Sequence, residues 1–164
     1  MRKAYLDITE LTEKEAISIF VGDDTEIILA GTTIYSMDVN LKKDYQKYAD
    51  NYDIQFIFDD CIPNVEFYTI PQVDIMAIDS IGGYIGTIGQ QCDIESDAPI
   101  CYISSELECF IVAENGIDFL KNMESWKENL KFYDKVRFYL SKTEAEKELE
   151  FIDLPIIKID KNNK

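Results

Sequence analysis

The sequence predicts a mixed α+β fold, a mostly antiparallel acidic β-module flanked by helices. Three observations carry this expectation. The 73 residues from Tyr48 to Leu120 hold no Lys or Arg and are rich in β-branched and aromatic strand formers separated by turn residues. From Ile117 onward the apolar positions take a helical period instead. Near the start, Thr12-x-x-Glu15 is a capping box ahead of an apolar stripe of Ala16, Ile19 and Phe20.

Taken in order, the first helix covers Leu11–Val21 and stops at Gly22. Glu26–Ala30 reads as a strand, though a short buried helix would look the same, and Gly31 breaks it. Thr33–Met37 is a second short strand. Asn40 is placed to cap a helix over Leu41–Tyr52, with Leu41, Tyr45 and Tyr48 on one face. Ile54–Phe58 and Val65–Ile70 are strand-like, the second ended by Pro71. Val73–Ile78 is apolar on both faces, as in a central strand. Ser80–Gly83 supplies turn chemistry for a hairpin back along Tyr84–Gly89. A loop from Gln90 to Pro99 precedes two more strands, Ile100–Ile103 and Cys109–Ala113, joined by a Ser104–Glu108 turn. Ile117, Leu120, Met123, Leu130, Tyr133 and Val136 fit a helical stripe reaching about Leu140, in one bent helix or two. Thr143–Glu150 is a charged helix, Phe151–Ile159 is extended, and Lys161–Lys164 should fray.

A chain of 164 residues fits one domain, 1–164, with the acidic β-rich module at 48–120 and the helical C-terminal part at 117–150. With 46% hydrophobic residues it is not a disordered chain despite its formal net charge of −16. That charge is unevenly placed. Tyr48–Leu120 has fourteen acids and no base, whereas the remainder has 16 bases and 18 acids, so −14 of the −16 belongs to one segment. Such a surface repels nucleic acid and anionic membrane over a Debye length of about 8 Å and favours a cationic partner. No apolar run is long enough to span a bilayer. Met1–Asp7 lacks the apolar core of a signal peptide, so a cytoplasmic chain is expected.

Several chemical signals fail on inspection. Gly83-x-x-Gly86-x-x-Gly89 lacks the opening of a dinucleotide fingerprint and the Lys of a P-loop, and it falls on a strand. Asp93-x-Glu95-x-Asp97 alternates like a calcium loop, but Ala98 stands where the tight turn needs Gly and Ser104 where the last ligand needs Glu. There is no His, so neither a Cys-His zinc site nor a nucleophile–His–acid triad can be built. Cys61, Cys92, Cys101 and Cys109 contain no C-x-x-C and read as reduced thiols, Cys101 and Cys109 as small core residues. The expectation is a non-enzyme with no metal and no cofactor.

A family resemblance rests on Val73–Ser80, on Gly82-Gly83-Tyr84-Ile85-Gly86, on Ala98–Ile103, and on Cys109–Ala113 running into Gly116–Leu120. This third of the chain resembles the SUKH superfamily, which includes a yeast regulator of cell-wall synthesis and many bacterial immunity proteins. The resemblance implies helices packed on one face of a single, mostly antiparallel sheet. It also implies a non-catalytic binding protein, the bacterial relatives being toxin-neutralising. The family's usual Leu-Pro turn does not follow the Leu11–Val21 helix here, and Ile27–Met37 looks strand-like where the family has a further helix.

Charge and resemblance lead to one expectation, an immunity-type protein whose acidic surface occludes a basic partner such as a toxin domain, for instance a nuclease. An intracellular scaffold or regulatory interaction protein is the alternative. The expected partner contacts are acids at loops, namely Asp79, Asp93, Glu95, Asp97, Glu106 and Glu108, with Tyr84 or Tyr102 as aromatic anchor. The sequence assigns no oligomeric state.

Overall fold

Strand β6, Val73–Ile78, is the one on which the sheet is built. In the computed structural model, which describes residues 2–7, 25–89, 98–128 and 130–151, β6 is hydrogen-bonded on both sides. On one side it pairs antiparallel with β7 (Tyr84–Ile88), followed by β8 (Ile100–Ile103), β9 (Cys109–Ala113) and the two-residue β10 (Lys131–Phe132). On the other side it pairs in parallel with β3 (Thr32–Ile34) and antiparallel with β4 (Gln55–Phe56). The fold is therefore mixed α+β with a seven-stranded, mostly antiparallel sheet and a few short helices.

Two irregularities set which residues face which side. The register of β6 against β7 slips between Ile75 and Ala77, and that of β8 against β9 slips between Ile100 and Cys101. Each slip leaves one extra residue, Met76 and Val112, as a β-bulge. Strict alternation would put Val73, Ile75 and Ala77 on one face. The bulge instead turns Ala77 over to the face of Met76.

The first face carries Met76, Ala77, Ile85, Tyr102 and Val112. Helix α1 (Lys42–Tyr52) covers it through Tyr45, Tyr48 and Tyr52. Helix α2 (Gly116–Lys121) adds Phe119, and the 3-10 helix Met123–Glu128 adds Met123 and Trp126. Phe119 and Trp126 are buried, and each such side chain contributes about 1.5–3 kcal/mol of hydrophobic stabilisation. The second face carries Val73, Ile75, Cys101, Ile103 and Cys109, covered by irregular chain through Ile57, Phe67 and Val136. Both faces are thus closed, as the doubly apolar sequence of β6 requires.

A third cluster lies beyond β6. Here β1 (Arg2–Asp7) pairs in parallel with β2 (Thr25–Ala30), and β5 (Tyr68–Ile70) pairs with β11 (Arg137–Tyr139). Backbone bonds from Gly31 N to Thr69 O at 2.8 Å and from Gln72 N to Leu29 O at 2.8 Å join the two ladders. Helix α3 (Lys142–Glu146) buries Ala145 here, capped by the Ser141 hydroxyl. Among the described residues, the strands therefore form one larger sheet and two small ladders rather than a single sheet, and α3 belongs to the third cluster rather than to the face of α1 and α2.

The expected helix through Leu140 ends early. Asn122 closes α2 by bonding back to Asp118 and Phe119, and Ser125 leaves helical geometry. Leu130 then packs on the first face, whereas Tyr133 and Val136 pack on the second. One helix cannot place that stripe on opposite sides of a sheet, so the apparent period is coincidental. Residues 131–139 are rich in aromatic and β-branched types and supply β10 and β11 instead. Arg2–Asp7, which carried no expectation, is a strand. The strand expected over Val65–Ile70 shrinks to Tyr68–Ile70, and Ile54–Phe58 to Gln55–Phe56. Asp38 rather than Asn40 caps the turn that leads into α1. The helix expected over Leu11–Val21, and Cys92, lie outside the described residues. No helix among the described residues is long and apolar enough to cross a membrane.

Candidate protein-interaction surface

The C-terminal end of β6 runs into a tight turn that Asp79 organises. Its Oδ1 accepts from the Gly83 N–H at 2.7 Å and the Ile81 N–H at 3.1 Å, and its Oδ2 accepts from the Tyr102 hydroxyl at 2.6 Å. Asp79 is only 7% exposed and Tyr102 only 6%. Burial, then the bond to Asp79, pushes the Tyr102 phenol well above its usual range. Tyr102 also rests on Trp126, with ring centroids 5.3 Å apart, and Trp126 Nε1 donates to the Tyr52 carbonyl at 2.7 Å.

Asp53 ties this turn to α1. It terminates the helix in the left-handed region, with φ of 58°, where Asp and Asn are the usual non-glycine choices. Its carboxylate accepts from Ser80 N at 3.0 Å and Ser80 Oγ at 2.8 Å, and it meets Lys127 Nζ at 2.6 Å. The hydrogen bond from the Lys127 ammonium holds its carboxyl below the ordinary value against the opposing effect of burial. The pair is part-exposed, so its Coulomb energy is screened by solvent.

Two grooves adjoin this region. One, of about 390 Å³, lies between the end of α1 and the 3-10 helix and carries Asp50, Asp53, Glu124 and Glu128 against Lys127. The other, of about 640 Å³, lies between β9 and α2 and carries Glu114, Asp118 and Glu128 against Lys131. Glu128 lines both. Together they present six carboxylates and two ammonium groups, a net charge of −4. Asp118 is partly engaged by Glu114 N at 3.3 Å and by Asn122 Nδ2 at 3.0 Å, whereas Glu114, Glu124 and Glu128 are exposed. The apolar floor of the larger groove is Ile111, Val112, Ala113 and Leu130. Strand β10 pairs β9 only at Phe110 and Ile111, so the last two residues of β9 extend past it into this groove.

The residues expected from sequence separate in the structure. Asp79 and Tyr102 face inward, and their polar atoms serve the turn. Tyr84 is half-buried on the opposite face, packed against Phe67 at 5.3 Å, and does not share a surface with Tyr102. Glu106 and Glu108 are exposed on the β8–β9 turn, whose Ser105 Cβ approaches Gly82. Asp93, Glu95 and Asp97 lie outside the described residues. The acids at the grooves were not singled out from sequence, because nothing in their spacing shows that Asp50, Glu114 and Glu128, from three separate elements, come together. A signal existed for Asp53 alone, an acid directly after a helical stripe.

Among the described residues, no group of three His, Cys, Asp or Glu is placed to hold a metal ion. Comparison of the chain with protein-family models, with curated proteins and with solved structures gives no match.

Proposed function

We propose that this chain is a non-catalytic protein-binding module that takes a basic protein at the paired grooves beside α1, α2 and β9. The observation that carries this reading is the convergence of six carboxylates from α1, α2, the end of β9 and the 3-10 helix on two adjoining grooves with only two lysines. A surface of that charge speeds encounter with a cationic partner and rejects anionic ones. The apolar floor at Ile111–Ala113 and Leu130 supplies area for the affinity that charge alone does not give. Read with the resemblance to the SUKH superfamily, the partner is a toxin domain with a basic active groove, such as a nuclease, and the action is occlusion of that groove inside the cell.

The test compares the wild-type chain with a Glu114→Lys, Glu124→Lys, Glu128→Lys variant as bait in lysate of its source. All three side chains are exposed, so the variant should keep its circular dichroism, with an unfolding free energy changed by no more than about 0.5 kcal/mol per substitution. The expected result is a basic protein retained by wild type, released by high salt and absent from the variant eluate, whose activity the wild-type chain inhibits. Identical capture by both baits would refute the placement of the surface. Capture of a protein whose activity is untouched would favour a scaffold.

A further inference from the structure

A further groove differs in sign from the two acidic ones. It lies where β1, β2, β5 and β11 meet, encloses about 420 Å³, and is lined by Lys3, Lys135 and Arg137 with the single acid Asp134. All three bases come from outside the base-free segment Tyr48–Leu120. They are exposed, and none forms an ion pair among the described residues. Nearby Lys142, by contrast, is bound to Asp7 at 3.3 Å. The walls are apolar, from Tyr5, Ile28 and Pro71. The arrangement is fixed by backbone pairing. Tyr5 lies opposite Ile28 in the parallel ladder, and Arg137 lies opposite Ile70 in the antiparallel one. The Tyr139 phenol, two residues along β11 from Arg137, donates to Glu148 Oε2 at 2.9 Å.

We propose that this groove binds a phosphomonoester whose organic group rests on the apolar wall. Three cations and one carboxylate give the groove a net charge of +2. A phosphomonoester carries about −1.5 to −2 at neutral pH, so it matches that charge, whereas a carboxylate leaves half of it uncompensated. Arg137 offers a planar fork for two phosphate oxygens, and Lys3 and Lys135 act as point charges. The volume falls within the range of about 300–1,000 Å³ typical of small-ligand sites. A long polyanion is disfavoured, because it would have to run past the acidic segment within a Debye length. A short ligand held in the groove does not. The site is independent of the acidic grooves and does not rest on their reading.

The test is calorimetric titration of the full chain at low ionic strength with phenyl phosphate, inorganic phosphate and benzoate. Phenyl phosphate should bind saturably and at least tenfold tighter than either of the others, because only it carries both the dianion and the apolar body. Lys135→Ala combined with Arg137→Ala should weaken it by about tenfold or more, as loss of charge-assisted hydrogen bonds predicts. Lys121→Ala, which removes one charge from α2 outside the groove, should leave it unchanged. Arg137→Lys keeps the charge and the exposed site, so a binding loss there shows that the fork matters even if the double variant folds poorly. A short phosphotyrosine peptide separates the two sources of such a group. Binding equal to that of phenyl phosphate assigns a phosphorylated protein, and weaker binding a free metabolite. No saturable heat with phenyl phosphate, equal affinity for inorganic phosphate, or equal loss in Lys121→Ala would each overturn the proposal.

Discussion

The Tyr102 hydroxyl donates from β8 to Asp79 Oδ2 at 2.6 Å, in the turn between β6 and β7. That bond joins the middle of the sheet to the turn that Asp79 organises. Both groups are buried, so neither can exchange its partner for water. Tyr102→Phe removes the donor and leaves a buried carboxylate oxygen short of one bond. It should destabilise the protein by about 1–3 kcal/mol in urea unfolding. A change below about 0.5 kcal/mol would mean that water reaches Asp79 after all.

Two glycines make contrasting demands. A Cβ at Gly83 would overlap the Tyr102 ring and hydroxyl, and one at Gly86 would overlap the Asp74 carbonyl of the neighbouring strand. Tyr102 can swing aside at the cost of its bond to Asp79, but backbone in the middle of β6 cannot. Both Gly→Ala variants should lower the thermal midpoint. Gly86→Ala should cost the more, at least about 2–3 kcal/mol. The reverse order would show that the β6–β7 ladder opens more easily than the turn.

The pH limits follow from two groups. Asp53 is held below its ordinary value by Lys127, so its contribution is present above about pH 4 and is lost as the pH falls through its folded value. Lys127→Ala should flatten the acid limb of the stability curve. Tyr102 is held above its ordinary value. Its contribution is intact below about pH 10 and declines above it, where the unfolded phenol ionises and the folded one does not. Tyr102→Phe should remove part of that alkaline loss. A parental pH profile in either variant would refute the corresponding assignment.

The described thiols should differ sharply in reactivity. Cys61 is exposed, whereas Cys101 and Cys109 are buried on the second face of the sheet. The Cys109 sulfur beside it, together with burial, pushes the Cys101 thiol up and keeps it protonated. Alkylation of the native chain followed by peptide mapping should label Cys61 quickly. Cys101 and Cys109 should be labelled only on unfolding. Fast labelling of Cys101 would contradict its placement.

Much of the sheet was legible because local signals agreed with it. The glycine turn after Asp79, the apolar doubling of Val73–Ile78 and the turn at Ser104–Glu108 each specify a strand end without help from distant residues. The segment after Asn122 was not legible. Leu130, Tyr133 and Val136 keep helical spacing, yet they serve different faces, and only the position of β9 and β5 decides that. Bulges at Met76 and Val112 are invisible for the same reason, since each is defined by its partner strand. The same limit applied to the candidate surface. Asp79 and Tyr102 look like contacts by charge and aromaticity, but Tyr102 occupies an inward position of β8 that counting alone cannot orient when both faces are apolar.

Strand β10 has a consequence for how the protein behaves when crowded. Val73–Ile78 is the kind of six-residue, strongly β-forming sequence that stacks into fibrils when another chain can reach it. Here it is enclosed, and the sheet ends on β9's side at a strand of only two residues, one of them Lys131. An edge that short offers too few consecutive hydrogen bonds to hold a second chain in register, and its charge repels a copy of itself. The brevity of β10 therefore works as a colloidal safeguard. Lengthening it by a few uncharged residues would be expected to turn this sheet edge into a template for aggregation.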